Sequence, residues 1–110
     1  MKKAALVILA SAVMAGSPAL ADTHYMHCYG GGRAGLYFSA VFPVPEGVMS
    51  KDKAKAFDAF IQGKYHVTIF SNCQRDQSQA NAASSKKMEE DADQTSKFPS
   101  KLIETGWAGK

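Results

Sequence analysis

A chain of 110 residues carrying 13 lysines and arginines against 10 acidic residues has room for one small domain. Loss of Lys2 and Lys3 with the leader described below leaves 11 basic side chains against those 10 acidic ones, which removes the electrostatic case for nucleic acid or an anionic membrane surface as partner. Two cysteines allow a single intramolecular disulfide.

The chain opens Met1-Lys2-Lys3, runs through apolar residues to Ala15, and then reaches Gly16-Ser17-Pro18 and Ala19-Leu20-Ala21. A positive end, an apolar stretch and small residues at the cleavage positions describe a bacterial-type secretory signal peptide, residues 1–21, cut after Ala21. A spanning helix needs roughly 20 apolar residues, and Gly16-Ser17-Pro18 interrupts the run sooner, so no stable membrane anchor is expected after processing. The expected product, residues 22–110, is a single small α+β domain exported to the periplasm or beyond. There Cys28 and Cys73 meet an oxidising environment and are expected to pair. In a domain whose core alone is marginal, closing that loop contributes about 4 kcal/mol in the chain-entropy account.

Two aromatic-rich runs, Asp22 to Tyr29 and Leu36 to Phe42, flank the cluster Gly30-Gly31-Gly32-Arg33-Ala34-Gly35 and read as a β-hairpin. On strict alternation Met26 and Cys28 share a face, with Phe38, Ala40 and Phe42 joining the core and Tyr37, Ser39 and Val41 turned away. Pro43 and Pro45 are expected to end the second strand. Ser50 and Asp52 then suit a helix start; Ala54, Phe57, Phe60 and Ile61 give an apolar stripe, and Gly63 suits a helix end, predicting a helix over about 51–62. Lys64 to Cys73 holds Val67, Thr68, Ile69 and Phe70 in succession and reads as the central strand. A cap-like Asp76-Gln77-Ser78-Gln79 opens an alanine-rich polar helix to about Thr95. Lys101 to Trp107 reads as a closing strand. The order β-β-α-β-α-β predicts a four-stranded, mainly antiparallel sheet with two helices packed on one face, and a Cys28–Cys73 bond requires the first and third strands to meet within about 7 Å.

Through its paired cysteines, Ala56-Phe57-Asp58-Ala59-Phe60-Ile61, Ser71-Asn72-Cys73, the alanine-rich helix and the closing Thr105-Gly106-Trp107, the stretch 25–107 resembles a loose group of small exported proteobacterial proteins of unknown function. The resemblance implies the architecture above and a bacterial envelope setting, with no catalytic residue to carry over. The alternation of helices and strands also resembles the SPOR peptidoglycan-binding fold, from which the opening hairpin departs.

With both helices on one face, the other would expose Tyr25, His27, Tyr29, Tyr37, Thr68 and Phe70. Such an aromatic surface is a candidate binding or dimerisation face for an envelope protein, a glycan or a second copy. Cleavage after Ala21 would also leave Asp22-Thr23-His24 as a free terminus, whose amine, two amide nitrogens and imidazole can surround Cu(II) or Ni(II) in a square plane. A second grouping, His24, His27, Cys28, His66 and Cys73, has ligand types for zinc or copper, although an oxidising compartment turns the thiolates into a disulfide first. Glu46, Glu104 and the scattered serines form no recognisable catalytic constellation, there being no Gly-x-Ser-x-Gly, His-Glu-x-x-His or Cys-x-x-Cys. The sequence thus favours a non-catalytic binding module.

Overall fold

The computed structural model describes residues 23–110; the expected leader and Asp22 lie outside the described residues. The elements in chain order are β1 (Thr23–Gly31), β2 (Leu36–Phe38), β3 (Phe42–Pro45), α1 (Ser50–Tyr65), β4 (Asn72–Asp76), α2 (Gln79–Gln94) and β5 (Leu102–Glu104). Over the described residues the fold is α+β, with one mixed five-stranded sheet, two helices and one disulfide between Cys28 and Cys73. No helix among the described residues is long and apolar enough to cross a membrane.

β1 is the strand on which the others assemble. β2 and β3 pair antiparallel with it, Tyr29 opposite Phe38 and Met26 opposite Phe42. His27 and Cys28 therefore face three residues, Ser39, Ala40 and Val41, which is a β-bulge with one extra residue on the partner side. Ser39 closes the gap. Its amide donates to the Cys28 carbonyl at 2.9 Å, and its Oγ accepts the Cys28 amide at 2.7 Å and donates to the Ala40 carbonyl at 2.8 Å. A side-chain oxygen thus takes the place of the missing backbone acceptor at a fully buried position.

The bulge corrects the expected second strand twice. Without it Phe38 and Phe42, four residues apart, would share a face. With it Phe38, opposite Tyr29, faces one side and Phe42, opposite Met26, the other, and both are fully buried. Nor does Pro43 end the strand: β3 continues through it, opposite Tyr25, and closes at Pro45, opposite Thr23. Both backbone groups of Cys28 turn toward Ser39, so even-numbered residues of β1 bond on this side and odd-numbered ones on the other. Each proline opposes an odd-numbered residue, where no amide hydrogen is required.

By the same alternation β4 pairs with the opposite edge of β1, with Cys28 directly facing Cys73 and His27 facing Gln74. With its backbone engaged by Ser39, Cys28 meets Cys73 in a non-hydrogen-bonded pair, the kind in which strands approach most closely, and the two Cα atoms are 4.0 Å apart. β5 runs parallel to β2, Tyr37 beside Ile103, which makes the sheet mixed rather than mainly antiparallel and gives it five strands rather than four.

The helices cover opposite faces, not one. Met26, Cys28, Tyr37, Phe42 and Val44 pack with Phe57 and Ile61 of α1, with Ile69 and with Trp107. Trp107 plugs the end of this core, its ring 5.4 Å from that of Phe42 and 5.3 Å from that of Phe57, and its Nε1 donates to the Lys110 carbonyl at 2.7 Å. α2 lies across the other face, where Ser85 reaches Gln74 and Asp76, and Lys86 stands over the Phe38 ring. Small residues allow this close approach, and Ala82 is the α2 residue that becomes fully buried.

The expected central strand at Lys64 to Cys73 is corrected as well. α1 continues through Gly63 and Lys64 to Tyr65 and ends at His66, which takes the left-handed conformation with φ 58° and donates its amide to the Gln62 carbonyl. Residues 67–71 carry no regular structure, and the strand starts only at Asn72. The β-branched residues still pack: a Cβ placed on Gly32 would fall 2.9 Å from Val67 Cγ1 and 3.0 Å from Ile69 Cγ2. The glycine cluster is therefore the floor over which this segment passes.

Two outcomes follow. Ser39→Ala leaves the Cys28 amide buried without an acceptor and should cost about 1–3 kcal/mol in urea denaturation. Replacing both cysteines by alanine, which opens a loop with a sequence separation of 45, should cost about 4 kcal/mol.

Candidate functional site

The structure does not bring the six residues of the expected aromatic face onto one open surface. Tyr25, His27 and Tyr29 lie on the α2 side of β1, but His27 has no exposed surface. Tyr37, opposite Gly30, lies on the α1 side, is 1% exposed and meets the Tyr65 ring edge-on at 5.1 Å. Phe70 is 86% exposed, on the segment that leads into β4. Thr68, also exposed, donates to the Gln62 side chain. The expected surface required both helices to share a face, and α2 instead covers part of it.

Under α2 the rings form a ladder. His27 stacks on Tyr29 at 5.6 Å and Tyr29 on Phe38 at 5.9 Å. The Glu89 carboxylate near the Tyr29 hydroxyl, acting as an acceptor for it and through its charge, together with burial pushes the phenol pKa up to about 12. Lys86 Nζ is 2.6 Å from Glu104 Oε1. The neighbouring Glu104 carboxylate, with some burial, raises the Glu90 pKa. Burial lowers the His27 pKa, opposed by the charges of Asp76 and Glu89.

Cys28 and Cys73 are bonded to each other, so they offer no thiolates to the grouping with His24, His27 and His66. Among the described residues no three His, Cys, Asp or Glu side chains are placed to hold a metal ion. Of the Asp22-Thr23-His24 grouping, Asp22 lies outside the described residues, while Thr23 and His24 belong to β1 opposite Pro45 and Val44. His24 Nδ1 is 3.2 Å from Arg75 Nη1. His24 is even-numbered, so its amide turns toward β3, and a square-planar Cu(II) or Ni(II) site would have to draw that nitrogen out of the ladder.

A feature absent from the sequence reading is the groove beside β4. A cavity of about 440 Å³ runs between α1 and the entry to β4, lined on one wall by Lys51, Ala54, Lys55 and Asp58 and on the other by Phe70 to Cys73. Asp58 Oδ1 accepts the Ser71 amide at 2.9 Å and the Ala54 carbonyl accepts the Ser71 hydroxyl at 3.1 Å, which fixes the width of the groove. Cys73 meets Cys28 without backbone bonds, so the N–H and C=O groups of Cys73 and Arg75 point away from β1. No strand lies beyond them among the described residues. The signal was present in Asn72-Cys73-Gln74-Arg75-Asp76, whose polarity without an apolar period suits an edge strand.

No family model, no curated protein and no solved structure matches the chain.

The Tyr29–Glu89 contact makes a direct test of α2 docking. In an alkaline absorbance titration one tyrosine should ionise near pH 12, and Glu89→Gln should bring it down toward the ordinary value. Because the folded-state value is the higher one, the stability carried by the neutral phenol is lost only as pH climbs from the ordinary tyrosine range through the raised one.

Proposed function

We propose that this chain is a non-catalytic binding module of a bacterial envelope or extracellular space, and that it binds an extended, acidic polypeptide segment as an added strand on the free edge of β4. The observation that carries the reading is the unpaired edge of β4 lying along a groove with an exposed aromatic. Backbone groups at an edge supply affinity for any extended chain, and flanking pockets supply selection. Phe70 offers an apolar contact, and Lys51 and Lys55 favour a carboxylate. The cystine and the leader-like residues 1–21 support an exported setting, and the resemblance to small exported proteins agrees with it.

An isolated strand fits better than a second copy. α1 stands over the start of β4 through the Asp58 and Ala54 contacts to Ser71. Two copies joined through β4 would bring two α1 helices to the junction, whereas a single strand brings none.

The test is fluorescence anisotropy with labelled, end-blocked peptides that alternate apolar with acidic residues, against sequence-scrambled basic controls. Binding should weaken at least about tenfold in Phe70→Ser and in the double variant Lys51→Glu, Lys55→Glu. Arg75→Pro, which removes an outward amide and leaves the inward ladder intact, should abolish it. Equal binding of acidic and basic peptides, or full binding by Arg75→Pro, would refute the reading. A concentration-dependent dimer in sedimentation, lost in Arg75→Pro, would assign the edge to self-association instead.

A further inference from the structure

The two helices are held to the sheet by different chemistry. α1 sinks Phe57 and Ile61 into the core. α2 buries only the methyl of Ala82 completely and otherwise reaches the sheet through polar side chains: Ser85 Oγ lies 3.4 Å from Asp76 Oδ1, Lys86 pairs with Glu104, and the Glu89 carboxylate lies near the Tyr29 hydroxyl. Beneath it lies His27, with no exposed surface and no hydrogen-bond partner on either ring nitrogen. The groups facing this imidazole are Gln74 and Asp76 from β4, Lys86 and Glu89 from α2, and Tyr29 from its own strand. Asp76 Oδ2 is likewise buried without a partner.

A neutral imidazole occupies such a position at the cost of unmade hydrogen bonds; an imidazolium would add a desolvated charge. We propose that proton uptake by His27 releases α2 from the sheet, making α2 a pH-operated cover over the ladder of His27, Tyr29 and Phe38. The feature lies on the α2 side of the sheet and the groove on the α1 side, although Gln74 and Asp76, on which α2 docks, belong to the same strand β4.

The direction follows from linkage. Burial, the largest influence, and Lys86 lower the docked-state pKa of His27, while Asp76 and Glu89 oppose them. The released state therefore binds more protons than the docked state as pH falls through the ordinary histidine value of 6.5 toward the lowered one, and docking weakens across that window. Glu90, with its pKa raised by Glu104, acts with the opposite sign, since proton uptake there relieves repulsion. A variant at position 27 separates the two effects.

The test is amide hydrogen exchange on the full, oxidised chain at about pH 8 and about pH 5, corrected for intrinsic rates. Acidification should speed exchange in α2 at least about tenfold relative to β1 and α1. His27→Gln should remove that difference, and His66→Gln, at an exposed histidine, should retain it. Slower or unchanged exchange of α2 in acid, as an ion pair between His27 and Asp76 would produce, overturns the proposal, as does pH dependence that survives in His27→Gln. Should that variant fail to fold, the imidazole titration of His27 followed by NMR in the unmodified protein must share its midpoint with the change in α2 exchange; separate midpoints overturn the proposal equally.

Discussion

The backbone of Cys28 organises this protein. Both its amide and its carbonyl are taken by Ser39, so its other flank is left without backbone bonds and β4 can approach closely enough for the disulfide. The same pair of bonds fixes which residues of β1 serve β3 and which serve β4. From that alternation follow the tolerated prolines and the outward backbone groups of Cys73 and Arg75. One buried hydroxyl thus sets the phase of the whole sheet.

That phase is also what divides the aromatic residues between two layers. Across the bulge Phe38 and Phe42 point to opposite sides, and each side then needs its own helix. The solutions differ in kind. α1 meets its face with large apolar side chains and a tryptophan plug, a dry contact stabilised by burial at about 25 cal/mol per Å² of apolar area. α2 meets the other with alanine, serine, lysine and carboxylates over a buried, unpartnered histidine. Contacts of the second kind respond to solution conditions far more than those of the first. The molecule therefore has one layer held by apolar burial and one held through polar side chains on a shared sheet.

Much of this was legible in the residues. The disulfide, the glycine-linked hairpin, two helices and the β-β-α-β-α-β order up to the split second strand all have local signatures. Even the start of α2 was legible to within a few residues: the expected cap at Asp76 is found at Ser78, whose Oγ accepts the Asn81 amide at 3.1 Å. The misread features depend on partners distant in sequence. Nothing near Ser39 announces that its hydroxyl will stand in for a carbonyl of the ladder. Val67 to Phe70 has the composition of a strand, but β-propensity measures fit to a half-buried pleated surface, and here that fit is met by packing across Gly32 and the core without pairing. Gly63 looked like a helix end, yet the left-handed residue is His66, three positions later. The placement of the helices on two faces rests on the bulge, and the expected open aromatic surface failed with it. The groove has no local signature, because one of its walls, Phe70 to Cys73, lies in a run with the composition of a central strand.

β4 is a polar strand with no alternating apolar set, and such strands are weakly specified in their pairing. Slipping it by two residues along β1 would keep its faces and still satisfy its hydrogen bonds, at a displacement of about 7 Å. The cystine forbids that error, because the sulfurs can join only when residues 28 and 73 stand side by side. Oxidation therefore acts as a proofreading step: a misthreaded chain stays reduced, and a chain that has closed its bond has already been aligned correctly.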